Sequence, residues 1–148
     1  MIRNKYRKAV FVVVYFKNKE GIKYLILKRR LHWKGWEFPK GGIEFLETKK
    51  GAAKRELLEE TGLKPVKINK FDFYGKYDYN RELLDRKGFK GQKFSLYSVE
   101  VEKKAVSLDR REHEGCEWVP FSQAVKMLKW PNQKKSLRIV NEELRKEK

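Results

Sequence analysis

The chain has 148 residues and a formal charge of +17, from 37 Lys and Arg against 20 Asp and Glu. With 40% hydrophobic and 14% aromatic residues it can build one sizeable core and is not a disordered polymer. The single cysteine, Cys116, excludes an internal disulfide and a multi-cysteine zinc site, and the longest apolar run, residues 9–16, is too short to span a bilayer. One domain across residues 1–148, cytoplasmic and without a membrane partner, is expected. Heat adaptation adds charges of both signs, so it does not account for the basic excess. Phosphate-rich substrates or RNA account for it better.

Residues 8–16 (KAVFVVVYF) are β-branched and aromatic and read as a buried strand. Asn18-Lys19-Glu20-Gly21 supplies a turn, and residues 22–28 form the return strand. Lys28-Arg29-Arg30 then stands at the mouth of a glycine-containing loop; Arg29 and Arg30 are either phosphate contacts or solvated surface. Trp36 and Phe38 alternate as strand residues, so at least one belongs to the core, whereas Trp33 lies over a base or covers the sheet edge. Paired Gly41 and Gly42 let the backbone approach a ligand and expose its polar groups, with Lys40 adding a cation beside them.

A helix is expected over residues 48–61. At about 100° per residue, Glu56, Glu59 and Glu60 share one face of it. Gly62 follows as the left-handed closing residue. The like-charge i,i+4 pair costs a few tenths of a kcal/mol, and acids in the last turn oppose the helix dipole by about 0.3–1 kcal/mol each. Arg55 cannot neutralise three carboxylates. A hard divalent cation, Mg²⁺ or Mn²⁺, would remove the penalty. Small Ala52 and Ala53 leave room for the loop to lie on the helix.

Residues 66–79 read as a long strand or bent hairpin arm. Its tyrosines, Tyr77 among them, stack on a base or pack on a half-buried sheet. Residues 80–91 form a basic loop long enough to be a substrate lid. Residues 92–102 alternate as a strand, with Phe94 and Leu96 facing one way and Tyr97, Val99 and Val101 the other. A short strand over residues 116–120 precedes a helix over 122–129, with Ser122 as its N-cap, and a last helix to residue 146 capped by Asn132. Strands, helix, strands, then two helices give an α+β domain with a mixed sheet covered on both faces.

Residues 41–63 (GGIEFLETKKGAAKRELLEETGL) resemble the Nudix box, G-x5-E-x7-R-E-U-x-E-E-x-G-U with U aliphatic. Gly41, Glu47, Arg55, Glu56, Leu57, Glu59, Glu60, Gly62 and Leu63 fill every fixed position. The resemblance implies an α/β/α sandwich that hydrolyses a nucleoside diphosphate linked to another group, using Mg²⁺ or Mn²⁺. It further implies Glu56, Glu59, Glu60 and the Gly41 carbonyl as metal ligands, and Glu47 as partner of an orienting Arg55. Gly91-Gln92-Lys93-Phe94 and the segment from Glu112 to Trp118 resemble those of dinucleoside polyphosphate hydrolases and RNA pyrophosphohydrolases, with Cys116 departing from the usual aromatic. That likeness implies that Glu112 reaches the metal from outside the box. Leu46 replaces a glycine often found before Glu47, which hardly affects the chemistry.

Catalytic roles are therefore expected for Glu56, Glu59, Glu60, Arg55 and Glu112, and substrate binding for Lys40, Arg29, Arg30 and Tyr77. Glu56, Glu59 or Glu112 would take the proton from the attacking water, while His113 reads as a structural histidine. The leading substrate is a dinucleoside polyphosphate such as diadenosine tetraphosphate. Triphosphorylated RNA 5′ ends come next, then oxidised nucleoside triphosphates. The alternative of another class is a non-catalytic RNA- or nucleotide-binding module.

Overall fold

The structure, a computed structural model, describes residues 5–31, 33–79 and 88–147. The Val-rich run of the first strand, β1 (Lys5–Asn18), forms the middle of a mixed sheet. It pairs antiparallel with β2 (Gly21–Arg29) and parallel with β6 (Phe89–Glu100). Outside these lie β3 (Gly35–Glu37), paired with β2, and β5 (Lys67–Asp78), paired with β6. Two further strands, β4 (Lys40–Gly42) and β7 (His113–Val119), pair with β1 and β2. The β1–β6 pair is the parallel one among otherwise antiparallel neighbours, so the sheet is mixed as expected.

Both faces of β1 are buried because both are covered. Val10, Val12 and Val14 pack with Leu25, Leu27, Tyr97 and Val99 beneath α1 (Lys49–Thr61). Phe11, Val13 and Tyr15 pack with Ile26, Phe94 and Leu96 beneath α2 (Phe121–Met127) and α3 (Pro131–Lys146). Two opposed apolar faces on one strand explain its near-continuous hydrophobic run. Among the described residues, no helix is long and apolar enough to cross a membrane.

Helix α1 begins one residue after the expected position because Thr48 is its N-cap, its hydroxyl accepting from the Gly51 N–H at 3.0 Å. Two expected caps are corrected. Pro120 precedes α2 and Trp130 precedes α3, neither with a side-chain cap, so Ser122 and Asn132 lie inside the first turns. Pro131 at the start of α3 supplies the preset φ that suits a first turn. Of the basic loop over residues 80–91, residues 80–87 lie outside the described residues, as does His32, and residues 89–91 already belong to β6.

Candidate active site

The C-terminal half of α1 gathers the acids. Glu56 and Glu60 are buried, at 8% and 1% exposure, while the Glu59 side chain stays 55% exposed. Gly62 closes the helix in the left-handed region (φ 74°), its N–H bonded to the Leu58 carbonyl at 2.8 Å. Strand β4 lies directly on the acids. The Lys40 N–H donates to Glu60 Oε2 at 3.1 Å. A Cβ on Gly41 would fall 2.0 Å from the Glu56 carboxyl carbon, so only glycine brings the backbone this close.

Arg55 ties these parts together. Its Nε and Nη2 donate to the two Glu47 oxygens at 2.7 and 2.9 Å, a bidentate pair. Nη1 donates to Glu56 at 2.8 Å and Glu59 at 3.0 Å, and Nη2 also reaches the Gly42 carbonyl at 2.7 Å. The hydrogen bond from Arg55 lowers the Glu47 carboxyl to about 2. One guanidinium thus serves three carboxylates and cannot neutralise them. Burial raises the Glu56 pKa, and burial followed by repulsion from Glu56 pushes Glu60 well above the ordinary range. Buried, converging and underneutralised oxygens are a donor set that fits a hard divalent cation.

A second, wholly buried layer supports the first. Strand parity places Arg29 on the same face as Leu25 and Leu27, beneath α1. Glu37 stands opposite Leu27, and His113 opposite Arg29, on that same face. The Arg29 guanidinium donates to Glu37 at 2.9 Å, to Glu112 at 3.2 Å and to the Leu31 carbonyl at 2.7 Å. His113 Nε2 lies 2.8 Å from Glu37 Oε2, and its Nδ1 lies 3.6 Å from Glu60 Oε1. Burial alone would raise Glu37, but Lys40, the His113 hydrogen bond and Arg29 together hold it at about 2. Glu37, Glu60 and His113 offer ligand atoms within 4.8 Å of one another, and Glu37 Oε1, Glu60 Oε1 and His113 Nδ1 are buried without a hydrogen-bond partner.

Against the sequence reading, the structure brings Gly41, Arg55, Glu56, Glu59 and Glu60 together, and the charge of Glu112 acts on Glu60 from outside the helix. Arg29 is corrected: at 1% exposure and bound to Glu37 and Glu112, its guanidinium positions acids rather than reaching out to phosphate. Lys40 is corrected likewise, its ammonium held 3.8 Å from Glu37 and 4.7 Å above the Trp33 ring. Trp33 therefore covers cations, with Arg29 4.6 Å from its centroid. Arg30 faces solvent, its Nη1 3.4 Å from the Arg110 carbonyl. Tyr77 packs against the α3-side core and accepts a hydrogen bond from Gln92. The sequence reading missed Glu37, whose only signal is an acid flanked by Trp36 and Phe38 on a short strand. It also missed Arg7, which bonds Gln92 at 2.6 Å and fills the space over Gly42.

A three-layer sandwich with an acid-bearing helix end laid against a glycine strand defines a Nudix-type hydrolase fold. The NUDIX domain profile matches residues 5–140, and the chain belongs to the Nudix family. It is 31% identical over 116 residues to an RNA pyrophosphohydrolase of Helicobacter pylori (strain P12), covering 76% of this chain and 74% of that one. An RNA pyrophosphohydrolase of Nitratiruptor sp. is 29% identical over 127 residues, 82% of each chain. Among solved structures, a NUDIX hydrolase from Listeria monocytogenes superimposes with a TM-score of 0.78 at 23% identity, covering 93% of this chain and 94% of that one. A C. elegans Ap4A hydrolase binary complex gives 0.71 at 26% identity, covering 93% and 97%. The chain is a Nudix hydrolase acting on pyrophosphate bonds, a family that uses divalent metal ions.

Proposed function

We propose that the chain hydrolyses the phosphoanhydride of triphosphorylated RNA 5′ ends with Mg²⁺ or Mn²⁺. The observation that carries the reaction is the buried Glu56–Glu60 pair under Gly41, a site of excess negative charge built to receive a cation. The net charge of +17 and the likeness to RNA pyrophosphohydrolases support RNA as substrate. This reverses the order expected from sequence. A second reading, hydrolysis of a dinucleoside polyphosphate, is supported by the likeness to the Ap4A hydrolase across 93% of the chain.

Glu56, Glu59, Glu60, Glu112 and the Gly41 carbonyl would hold the metal. When bound, the cation supplies charge neutralisation at the phosphate oxygens and acidifies a water. Arg55 fixes the Glu56 and Glu59 carboxylates in one geometry and anchors them to Glu47. Glu59 and Glu112, with side chains 55% and 21% exposed, are the acids of the set most open to solvent, and Glu59 takes the one proton that the attacking water gives up. Arg30, facing solvent, reaches the phosphate chain.

The test is product analysis of purified chain with Mg²⁺ on a triphosphorylated RNA oligonucleotide and on diadenosine tetraphosphate. Turnover of the RNA is expected, and Glu59→Gln should lower kcat by roughly 10²–10⁴-fold. Turnover of the dinucleotide alone selects the second reading. Absence of turnover on either returns the chain to a non-catalytic binding module, and an undiminished Glu59→Gln enzyme removes Glu59 from the mechanism.

A further inference from the structure

Strands β1, β6 and β5 are in register such that Lys8 stands opposite Lys93, and Lys93 opposite Lys76. Neighbouring strands are about 4.8 Å apart, so three exposed lysines form a row across the sheet. By parity with Val10 and Tyr97 the row lies on the α1 side. Like charges directly opposite one another destabilise a sheet. Among the described residues no carboxylate pairs with Lys8, Lys76 or Lys93.

Next to the row, β5 carries an irregularity between Phe71 and Tyr74 that sets Tyr74 opposite Ser95, and alternation from Ile68 places Tyr74 on this same face. Tyr74 is 56% exposed, with Lys49 Nζ 5.5 Å and Lys70 Nζ 6.0 Å from its ring centroid. Lys8, Ile43, Lys49, Tyr74, Lys76 and Lys93 line a groove of about 430 Å³. Ile43 follows β4 directly, so the groove opens beside the strand that lies on the acids. A second ring, Tyr6, has Lys76, Lys90 and Lys93 at 5.0, 4.9 and 5.8 Å from its centroid.

We propose that this groove is a docking track for single-stranded RNA, in which the lysine row holds backbone phosphates and Tyr74 stacks on a base. The proposal rests on the RNA 5′-end reading for its connection to the active site. A row of cations beside an exposed aromatic ring is the recognition chemistry of single strands, whose bases have free faces. A duplex keeps its base faces stacked inside, and an acidic peptide offers none.

Binding is measured by fluorescence anisotropy with a single-stranded 5′-hydroxyl RNA decamer, which carries no scissile phosphoanhydride. Wild type is compared with the triple variant Lys8→Ser/Lys76→Ser/Lys93→Ser and with Tyr74→Ala, each first shown to melt as wild type does. Loss of three phosphate contacts should flatten the slope of log affinity against log salt by about 2, at roughly 0.7 per contact. Affinity at low salt should fall at least tenfold. Tyr74→Ala should weaken binding about tenfold, the order expected for one stacked base. Wild-type affinity and slope in the triple variant overturn the track, and an unchanged Tyr74→Ala overturns the stacking. An equal loss for heparin overturns RNA as the occupant. If wild type binds the decamer through the row yet fails to cleave triphosphorylated RNA, the 5′-end reading fails while the track stands.

Discussion

Strand β4 touches two sets of like charge with opposite physics. Lys40 and Gly41 lie against Glu60 and Glu56, which are buried, while the neighbouring Ile43 lines the groove of exposed Lys8, Lys76 and Lys93. Buried acids interact strongly, and each oxygen must be held by a named partner or by a cation. Exposed lysines repel weakly through water and act by their sum, which salt screens. One set is therefore decided by ångströms and the other by ionic strength.

The largest expected effect tests the buried side. Glu37→Gln leaves Arg29 and Lys40 beside a neutral group in the interior, and breaking a buried ion pair typically costs about 3–5 kcal/mol. In a chain of this size that lowers Tm by roughly 6–20 °C. Lys76→Ser, a surface change, should stay within about 0.5 kcal/mol. Thermal melts of the two variants that gave equal losses would erase the distinction between the two regions.

Gly41→Ala comes next. The added methyl group falls on the Glu56 carboxylate, the mobile end of a flexible side chain, so the fold survives while a proposed metal ligand is displaced. A displacement of about 1 Å at a reacting site costs on the order of 10²-fold. Steady-state kinetics should show that loss in kcat with an unchanged circular dichroism spectrum. Full activity would remove the close approach from the mechanism.

How far each region could be read from sequence follows from the same geometry. Glu56, Glu59, Glu60, Arg55 and Gly62 lie within one helix and its cap, where spacing alone sets the face, so this part was legible. Glu37 and His113 are 76 residues apart and meet through β2. Strand alternation back from Trp118 and Cys116 would put Glu114 beneath α1. The irregularity between Lys28 and Arg29 in the β2–β7 pairing puts His113 there instead. That irregularity leaves no trace in the residue pattern, whereas Tyr74 keeps the plain alternation of β5 and faces α1, as Phe71 and Phe73 on the opposite face imply. Arg29 was misread for a related reason: a basic triplet does not say which of its members faces inward.

Acidity and metal separate the regions by a smaller effect. Glu56 and Glu60 have folded pKa values above the ordinary 4.5, so the folded chain binds more protons than the unfolded one. Metal-free stability should therefore fall as pH rises above about 4.5 toward those values. Glu37 and Glu47, held at about 2, contribute fully above pH 4.5 and lose their contribution only as pH falls toward 2. Melting curves in EDTA should drop from pH 5 to 8, and the rise in Tm on adding Mg²⁺ should grow over that range. A magnesium effect that shrinks with pH would contradict this account of the acid pair.

The smallest effect lies in the loop between β4 and α1. Leu46 has φ 63° and is 89% exposed, beside Phe45 at 92%. The left-handed region costs a non-glycine residue roughly 1–2 kcal/mol, a cost in stability and not in chemistry. In Leu46→Gly that strain disappears, against about 0.4–1 kcal/mol of added unfolded-chain freedom. A gain of up to about 1.5 kcal/mol is expected in urea unfolding, with the Arg55–Glu47 bridge one residue away undisturbed. A loss of that size instead would mean that the Leu46 side chain holds the loop, and that the strain is offset by a contact its exposure conceals.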